Sequence, residues 1–241
     1  MMEDIKAAPD GSVIVLHGCA HNPTGIDPTK EQWKEIADLC VAKGHLPFFD
    51  VAYQGFATGD LDEDAWAPRM FADKGIEFFC SQSYAKNLGL YGERVGCLTA
   101  VLNSKEVAGR VESQMKRIAR AIYSNPPVHG ARIARDVIND PAMFEEWKGE
   151  MREMSGRITG VRGTLRAALE KRMPEKDWSF VTSQIGMFSF TGLTKEQVEN
   201  MTNKWHVYMT FDGRISLAGL NTAKCDYLAD AIVDSIKSVP A

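Results

Sequence analysis

A lysine amine at position 86, a carboxylate at Asp50, a phenol at Tyr53 and a guanidinium at Arg94 stand within one stretch of chain. Around them come His17, His21, Asn22, Thr24 and the hydroxyls of Ser81 and Ser83. Each follows or opens a short strand-like run. In an open parallel sheet, ligands bind beyond the carboxyl ends of the strands. Strand-end geometry therefore brings an amide, a carboxylate, a phenol, hydroxyls, an amine and a guanidinium to one edge. Such a set suits an anionic, aromatic cofactor bearing a carbonyl, although periodicity does not name it.

Each of these residues also has a plainer reading. Most lysines are solvated surface groups, and Arg94 and Arg214 could be surface ion-pair residues. Asn22-Pro23-Thr24-Gly25 could be turn chemistry alone. Asp50 is harder to dismiss: it follows Pro-Phe-Phe and is expected near the buried interior of the sheet, where a carboxylate needs a cation or several donors. The five histidines lack HExxH or other ligand spacing, so no metal is assigned. GxGxxG, Walker A and GxSxG are absent, which argues against nicotinamide, nucleotide-phosphate and serine-hydrolase chemistry.

The elements that must position these groups alternate in kind. Residues 12–17 form a continuous apolar run of strand length. Asp27-Pro28 then supplies a helix cap and a first-turn proline for a helix over 31–41, which stops at Gly44. A second strand spans 45–50, with its proline near the start. A weaker helix follows at 62–73, then strands at 76–81 and 94–102. This order predicts an α/β fold, a mostly parallel sheet with helices on both faces. The middle is helical, over 104–123 and again after Pro141. There Phe144, Trp147, Met151, Met154, Ile158, Val161 and Leu165 form one apolar stripe. Gly156, Gly160 and Gly163 weaken this helix, so packing must offset them. The last third reads as a smaller α+β domain. It has strands at 180–182 and 187–191, a capping box at Thr194–Gln197, a hairpin of 205–210 and 214–217 around Asp212-Gly213, and a helix from about 223 to 238. A domain boundary is expected within the long helix, giving domains 1–150 and 151–241.

Composition bounds the function class. The 241 residues are 44% hydrophobic and 25% charged, ordinary for a globular protein. A formal net charge of -4 gives no electrostatic reason to expect nucleic acid or an anionic membrane as partner. No apolar run approaches the roughly 20 residues needed to span a bilayer. The N-terminus is too polar and acidic for a secretory signal or an Arg-rich transit peptide. Five scattered cysteines with no CxxC pair read as reduced thiols. Cytoplasm is the default compartment.

Six segments, in order, resemble the class I, fold type I aminotransferases that depend on pyridoxal 5'-phosphate (PLP), and within them the aspartate aminotransferase family. The most specific is Ser83-Tyr-Ala-Lys86-Asn-Leu-Gly-Leu-Tyr-Gly-Glu-Arg94-Val-Gly96. The others are His21-Asn22-Pro-Thr-Gly25, Phe49-Asp50-Val-Ala-Tyr53-Gln-Gly-Phe56, Tyr123-Ser-Asn-Pro-Pro127, Gln184-Ile-Gly-Met-Phe188-Ser-Phe190 and Gly213-Arg214-Ile-Ser216. The resemblance runs from about residue 3 to the end. It implies transamination between aspartate and 2-oxoglutarate, by a ping-pong mechanism, giving oxaloacetate and glutamate. It further implies that Lys86 carries PLP as a Schiff base and then moves the substrate Cα proton. Asp50 would pair with the pyridine nitrogen, with His17 supporting it. Tyr53 and Asn22 would donate to the phenolic oxygen of the ring, and Ser83 and Arg94 would hold the phosphate. Arg214 would clamp the substrate α-carboxylate and Phe188 line the pocket. Arg120 would read the distal carboxylate across a homodimer interface, so that two guanidinium forks select dicarboxylic amino and 2-oxo acids.

The resemblance begins well inside the family pattern. The arm that embraces the partner subunit, the Ser/Gly/Thr phosphate loop and the aromatic residue that stacks on the pyridine ring find no counterpart. This implies an incomplete large domain whose sheet keeps an uncovered edge and apolar face. It also implies a fragment or short isoform, and an organelle address could have been lost with the missing part. The alternative is a non-catalytic homologue that binds PLP poorly and acts, if at all, by pairing with a full-length subunit.

Overall fold

A computed structural model describes residues 1–239. A short helix, Met2–Ala7 (α1), precedes the first strand, Val13–His17 (β1). Lys30–Lys43 (α2) leads to Leu46–Val51 (β2), and Leu61–Asp64 (α3) with Trp66–Asp73 (α4) leads to Phe78–Ser83 (β3). The three strands are parallel and adjacent in chain order. Gly96–Val101 (β4) pairs antiparallel with β3, because the intervening loop carries no crossover helix. Pro47 is tolerated inside β2 because pairing with β3 begins only at Phe48.

Side chains alternate across a strand, and this sorts the sheet. Leu16, Phe49, Val51 and Phe78 face Trp33, Ile36, Ala37 and Cys40 of α2 and Phe71 of α4. The Phe49 ring meets those of Phe71 and Phe78 edge-on at 5.0 and 5.4 Å, a favoured aromatic geometry. His17, Asp50 and Ser81 are register neighbours on the opposite face. Val13 and Val15 share that face and are exposed, an apolar surface on an edge strand.

Local signals place most boundaries, with instructive exceptions. The cap of α2 is Thr29, which forms a capping box with Gln32, and the helix ends on left-handed Gly44. Asp27 is not the cap, for its carboxylate is engaged elsewhere. The helix expected over 62–73 breaks at Ala65, since Pro68 removes the bond that would reach back to residue 64. Lys105–Ile122 (α5) is capped by Ser104 and buries no residue. His129–Asn139 (α6) is a further helix, not expected from the sequence.

Pro141–Arg172 (α7) is one continuous helix. Its apolar stripe is buried at Trp147, Met151, Ile158, Val161 and Leu165. Residues 180–183 are a short helix (α8) rather than the expected strand: Asp177 caps Ser179 N–H, and the chain closes from Gln184 N–H to the Phe180 carbonyl. Phe188–Phe190 (β5) pairs antiparallel with Arg214–Ser216 (β6). The expected hairpin of 205–210 with 214–217 therefore does not form. Lys195–Trp205 (α9), opened by the Thr194–Gln197 box, consumes Trp205, and β5 takes the partner position. Cys225–Ser238 (α10) follows and packs on α9.

The chain divides into two compact units. One comprises residues 1–19, 28–55 and 60–150, and holds the four-stranded sheet; the other comprises 20–27, 56–59 and 151–241.

Candidate functional site

In the first unit, the loop from Tyr84 to Val95 carries the amine. It closes on itself through Tyr84 N–H to Val95 C=O at 3.2 Å and Gly89 N–H to Lys86 C=O at 3.2 Å. The buried Asn87 ties it down: its side-chain amide donates to Gln54 C=O at 3.3 Å, and its main-chain carbonyl accepts from the Trp147 indole at 2.7 Å. Thus fixed, the half-buried Lys86 holds its Nζ 4.9 Å above the ring of Tyr53, which is buried. A cation over an aromatic face is attractive and orients the amine.

Ser83 ends β3 opposite Gly96, and its Oγ accepts from Ala85 N–H at 3.2 Å. Gly96 is required there, because an added Cβ would lie 2.5 Å from the Gln82 carbonyl oxygen. Arg94 adopts a left-handed backbone (φ 50°), is exposed, and donates to Tyr91 C=O at 3.2 Å. Burial pushes the Cys80 thiol up to about 11 and raises the Tyr84 phenol as well, so both stay neutral beside this loop.

Asp50 departs from expectation. It is exposed on the face opposite the core, because Phe49 and Val51 on either side of it take the buried positions. His17 and Ser81 flank it in the sheet, so a carboxylate, an imidazole and a hydroxyl form one row. Arg120 is exposed on the last turn of α5 and donates to Ser124 Oγ.

In the second unit, the segment 20–27 is organised by Asp27, which accepts from Ala20 N–H at 2.6 Å and His21 N–H at 2.8 Å. His21 Nδ1 meets Thr24 Oγ1 at 2.7 Å, and the Asn22–Pro23 bond is cis. Asn22 Oδ1 accepts from Arg214 Nη1 at 2.8 Å. The Arg214 guanidinium lies 4.6 Å from the Phe188 ring centroid. Gly186 (φ +83°) lies close against Ala20, where an added Cβ would sit 2.6 Å from the Ala20 Cβ.

Two groupings of the expected residues are therefore drawn together by contact: Lys86 with Tyr53, and Arg214 with Asn22 and Phe188. Asp50, Arg94 and Arg120 stand outside those contacts. Arg162, Asn87, Trp147 and the bonds of Asp27 to Ala20 and His21 were not expected from the sequence. Of these, only the apolar stripe hinted at Trp147. Chemically, the first grouping offers an oriented amine and the second an oriented guanidinium. Among the described residues, no group of three or more His, Cys, Asp or Glu could hold a metal ion, and no helix is long and apolar enough to cross a membrane.

The model of the aminotransferase class I and II family matches residues 1–232. The chain belongs to that family. It is 65% identical over 240 residues to the chloroplastic aspartate aminotransferase of Arabidopsis thaliana, covering 99% of this chain and 53% of that protein. It is 63% identical to the mitochondrial aspartate aminotransferase P2 of Lupinus angustifolius, with the same coverage. An aromatic-amino-acid aminotransferase from Burkholderia pseudomallei, covalently bound to pyridoxal phosphate, is similar in structure. Its TM-score is 0.94 at 41% identity, over 98% of this chain and 59% of that one. The chain thus spans about half the length of the curated relatives it matches, and its mainly parallel α/β sheet agrees with the large domain of that family's fold.

Proposed function

We propose that this chain belongs to a PLP-dependent aspartate aminotransferase, exchanging the amino group between aspartate and 2-oxoglutarate. The observation that carries this reading is an amine, Lys86, held over a buried phenol in a chain 65% identical to an aspartate aminotransferase. The donor set fits PLP: an amine for its aldehyde, a carboxylate for its pyridine nitrogen, and a hydroxyl and a guanidinium for its phosphate. Lys86, Asp50, Ser83 and Arg94 would hold it in those respective ways, with Tyr53 and Asn22 donating to its phenolic oxygen. When bound, PLP supplies an aldehyde that exchanges with the substrate amine and a ring that accepts the electron pair left at Cα.

The residues of this chain do the rest. Lys86, once its amine is free, would carry the proton from the substrate Cα to the carbon that was the aldehyde carbon of PLP, and would run the same transfer backwards in the second half-reaction. Asp50, as an anion, favours the protonated pyridine nitrogen, and His17 beside it supports that charge. Arg214 fixes the α-carboxylate through a bidentate fork, held against Asn22 and the Phe188 face. Arg120 provides the second guanidinium, for the distal carboxylate of a dicarboxylic substrate in a homodimer. The deciding experiment is an absorbance spectrum of the purified chain with added PLP, before and after aspartate. A bound-cofactor band that disappears on adding aspartate, with release of oxaloacetate, is the expected result. Borohydride should then fix the cofactor to Lys86, and attachment at another lysine in Lys86→Ala would refute the assignment.

A second reading is favoured by the exposed Val13, Val15, Ile118 and Ile122. Here the chain acts only together with a full-length subunit. A spectrum indifferent to aspartate until such a subunit is added would support it.

A further inference from the structure

We propose that Arg162 is a positioning residue for the substrate-carboxylate clamp: it fixes the backbone from which Phe188 supports Arg214. This rests on the reading of Arg214 given above.

Arg162 sits on α7 and is 3% exposed. Buried arginines ordinarily pair with a carboxylate. Here the guanidinium spends its donors on backbone carbonyls instead. Nη1 donates to Val181 C=O at 2.8 Å, and Nη2 to Gly186 C=O at 2.9 Å and Phe188 C=O at 2.5 Å. Its Nε has no partner among the described residues. Burial pushes the guanidinium down to about 10, which still leaves it cationic at neutral pH.

An apolar side chain of similar length could fill this space without the cost of burying a charge. What it could not do is hold three carbonyls at once. All three acceptors belong to one segment, 181–188, which ends in one partner of Arg214, Phe188, and packs on the loop that carries the other, Asn22. Phe188 at its end lies under the Arg214 guanidinium. Ile185 N–H donates to Gly25 C=O at 2.8 Å, and Gly186 packs on Ala20, so the loop bearing Asn22 rests on the same segment. Releasing these carbonyls frees the segment and, with it, the ring and the amide that aim Arg214.

The test uses Arg162→Met, Arg162→Lys and a control, Asp234→Asn, which disturbs the α9–α10 contact in the same unit. The first readout is NMR of the Arg214 side chain, assigned through Arg214→Lys. Its position over the Phe188 ring gives a ring-current shift that Arg162→Met should abolish, Arg162→Lys partly retain, and Asp234→Asn leave in place. The second is titration with maleate, a dicarboxylate that carries no amine to react. Its Kd should rise about tenfold or more in Arg162→Met and change little in the control. An unchanged Arg214 resonance in both Arg162 variants, or equal weakening of maleate by the control, would overturn the proposal. Should the wild-type chain bind no maleate, the carboxylate role of Arg214 falls, while the resonance still decides whether Arg162 positions it.

Discussion

The Lys86 Nζ lies 4.9 Å above the centre of the Tyr53 ring, and Tyr53 is only 7% exposed. A flexible lysine is thereby held by a side chain that cannot itself move far. Asn87 and Trp147 immobilise the loop from the other side. The amine is thus oriented by the Tyr53 ring and by a loop that Asn87 and Trp147 pin in place.

Tyr53 can be dissected by its ring and its hydroxyl. Tyr53→Ala empties a buried site and should cost about 3 kcal/mol in urea unfolding. Tyr53→Phe keeps the ring and should cost under about 1 kcal/mol, while weakening PLP about fivefold by loss of one hydrogen bond. Equal destabilisation by the two variants would show that the ring is not what matters.

Arg120 should set substrate choice. Arg120→Ala is expected to lower kcat/KM for aspartate about a hundredfold, the loss of a charge-assisted pair, and to leave alanine-like substrates within about fivefold. Equal losses on both substrate types would refute its role as the distal-carboxylate reader.

Asp27 accepts two backbone N–H groups, from Ala20 and His21. Asp27→Ala leaves both donors without that acceptor and should destabilise the chain by about 2 kcal/mol. Because Asn22 lies on the loop so held, the Asn22–Arg214 bond should loosen too. Unchanged chemical shifts at Asn22 in the variant would contradict this.

Asp234 provides a pH test. Lys204 Nζ (2.7 Å), the Trp205 indole (2.7 Å) and Asn200 Nδ2 (3.1 Å) all donate to its carboxylate, and these bonds hold its pKa well below the usual carboxylate range. A depressed folded-state pKa adds stability above the unfolded value, about 4, and that stability is lost as pH falls toward the folded value. Asp234→Asn should therefore cost about 1–2 kcal/mol at pH 7 and progressively less below pH 4. A loss independent of pH would show that the charge is not involved.

The residues themselves determined much of this protein. The ordered motifs around Asn22, Asp50, Lys86 and Arg214 carried the family, as the match over residues 1–232 shows. Short-range free energies set the element boundaries that were legible: the Thr194–Gln197 box, left-handed Gly44 and the apolar stripe of α7 all act within a few residues of chain. Tertiary structure decided what depends on distant partners. Whether β6 pairs with its chain neighbour or with β5 is a competition between segments far apart, and β5 wins. Asp50 faces outward because its two neighbours bury more favourably, a choice made by the whole sheet. Asp27 looks like a helix cap until the backbone of Ala20 and His21 turns toward it. Arg162 left no local trace at all. Its acceptors are main-chain carbonyls up to 26 residues away, and every residue has such a carbonyl, so only the fold singles out the three that matter.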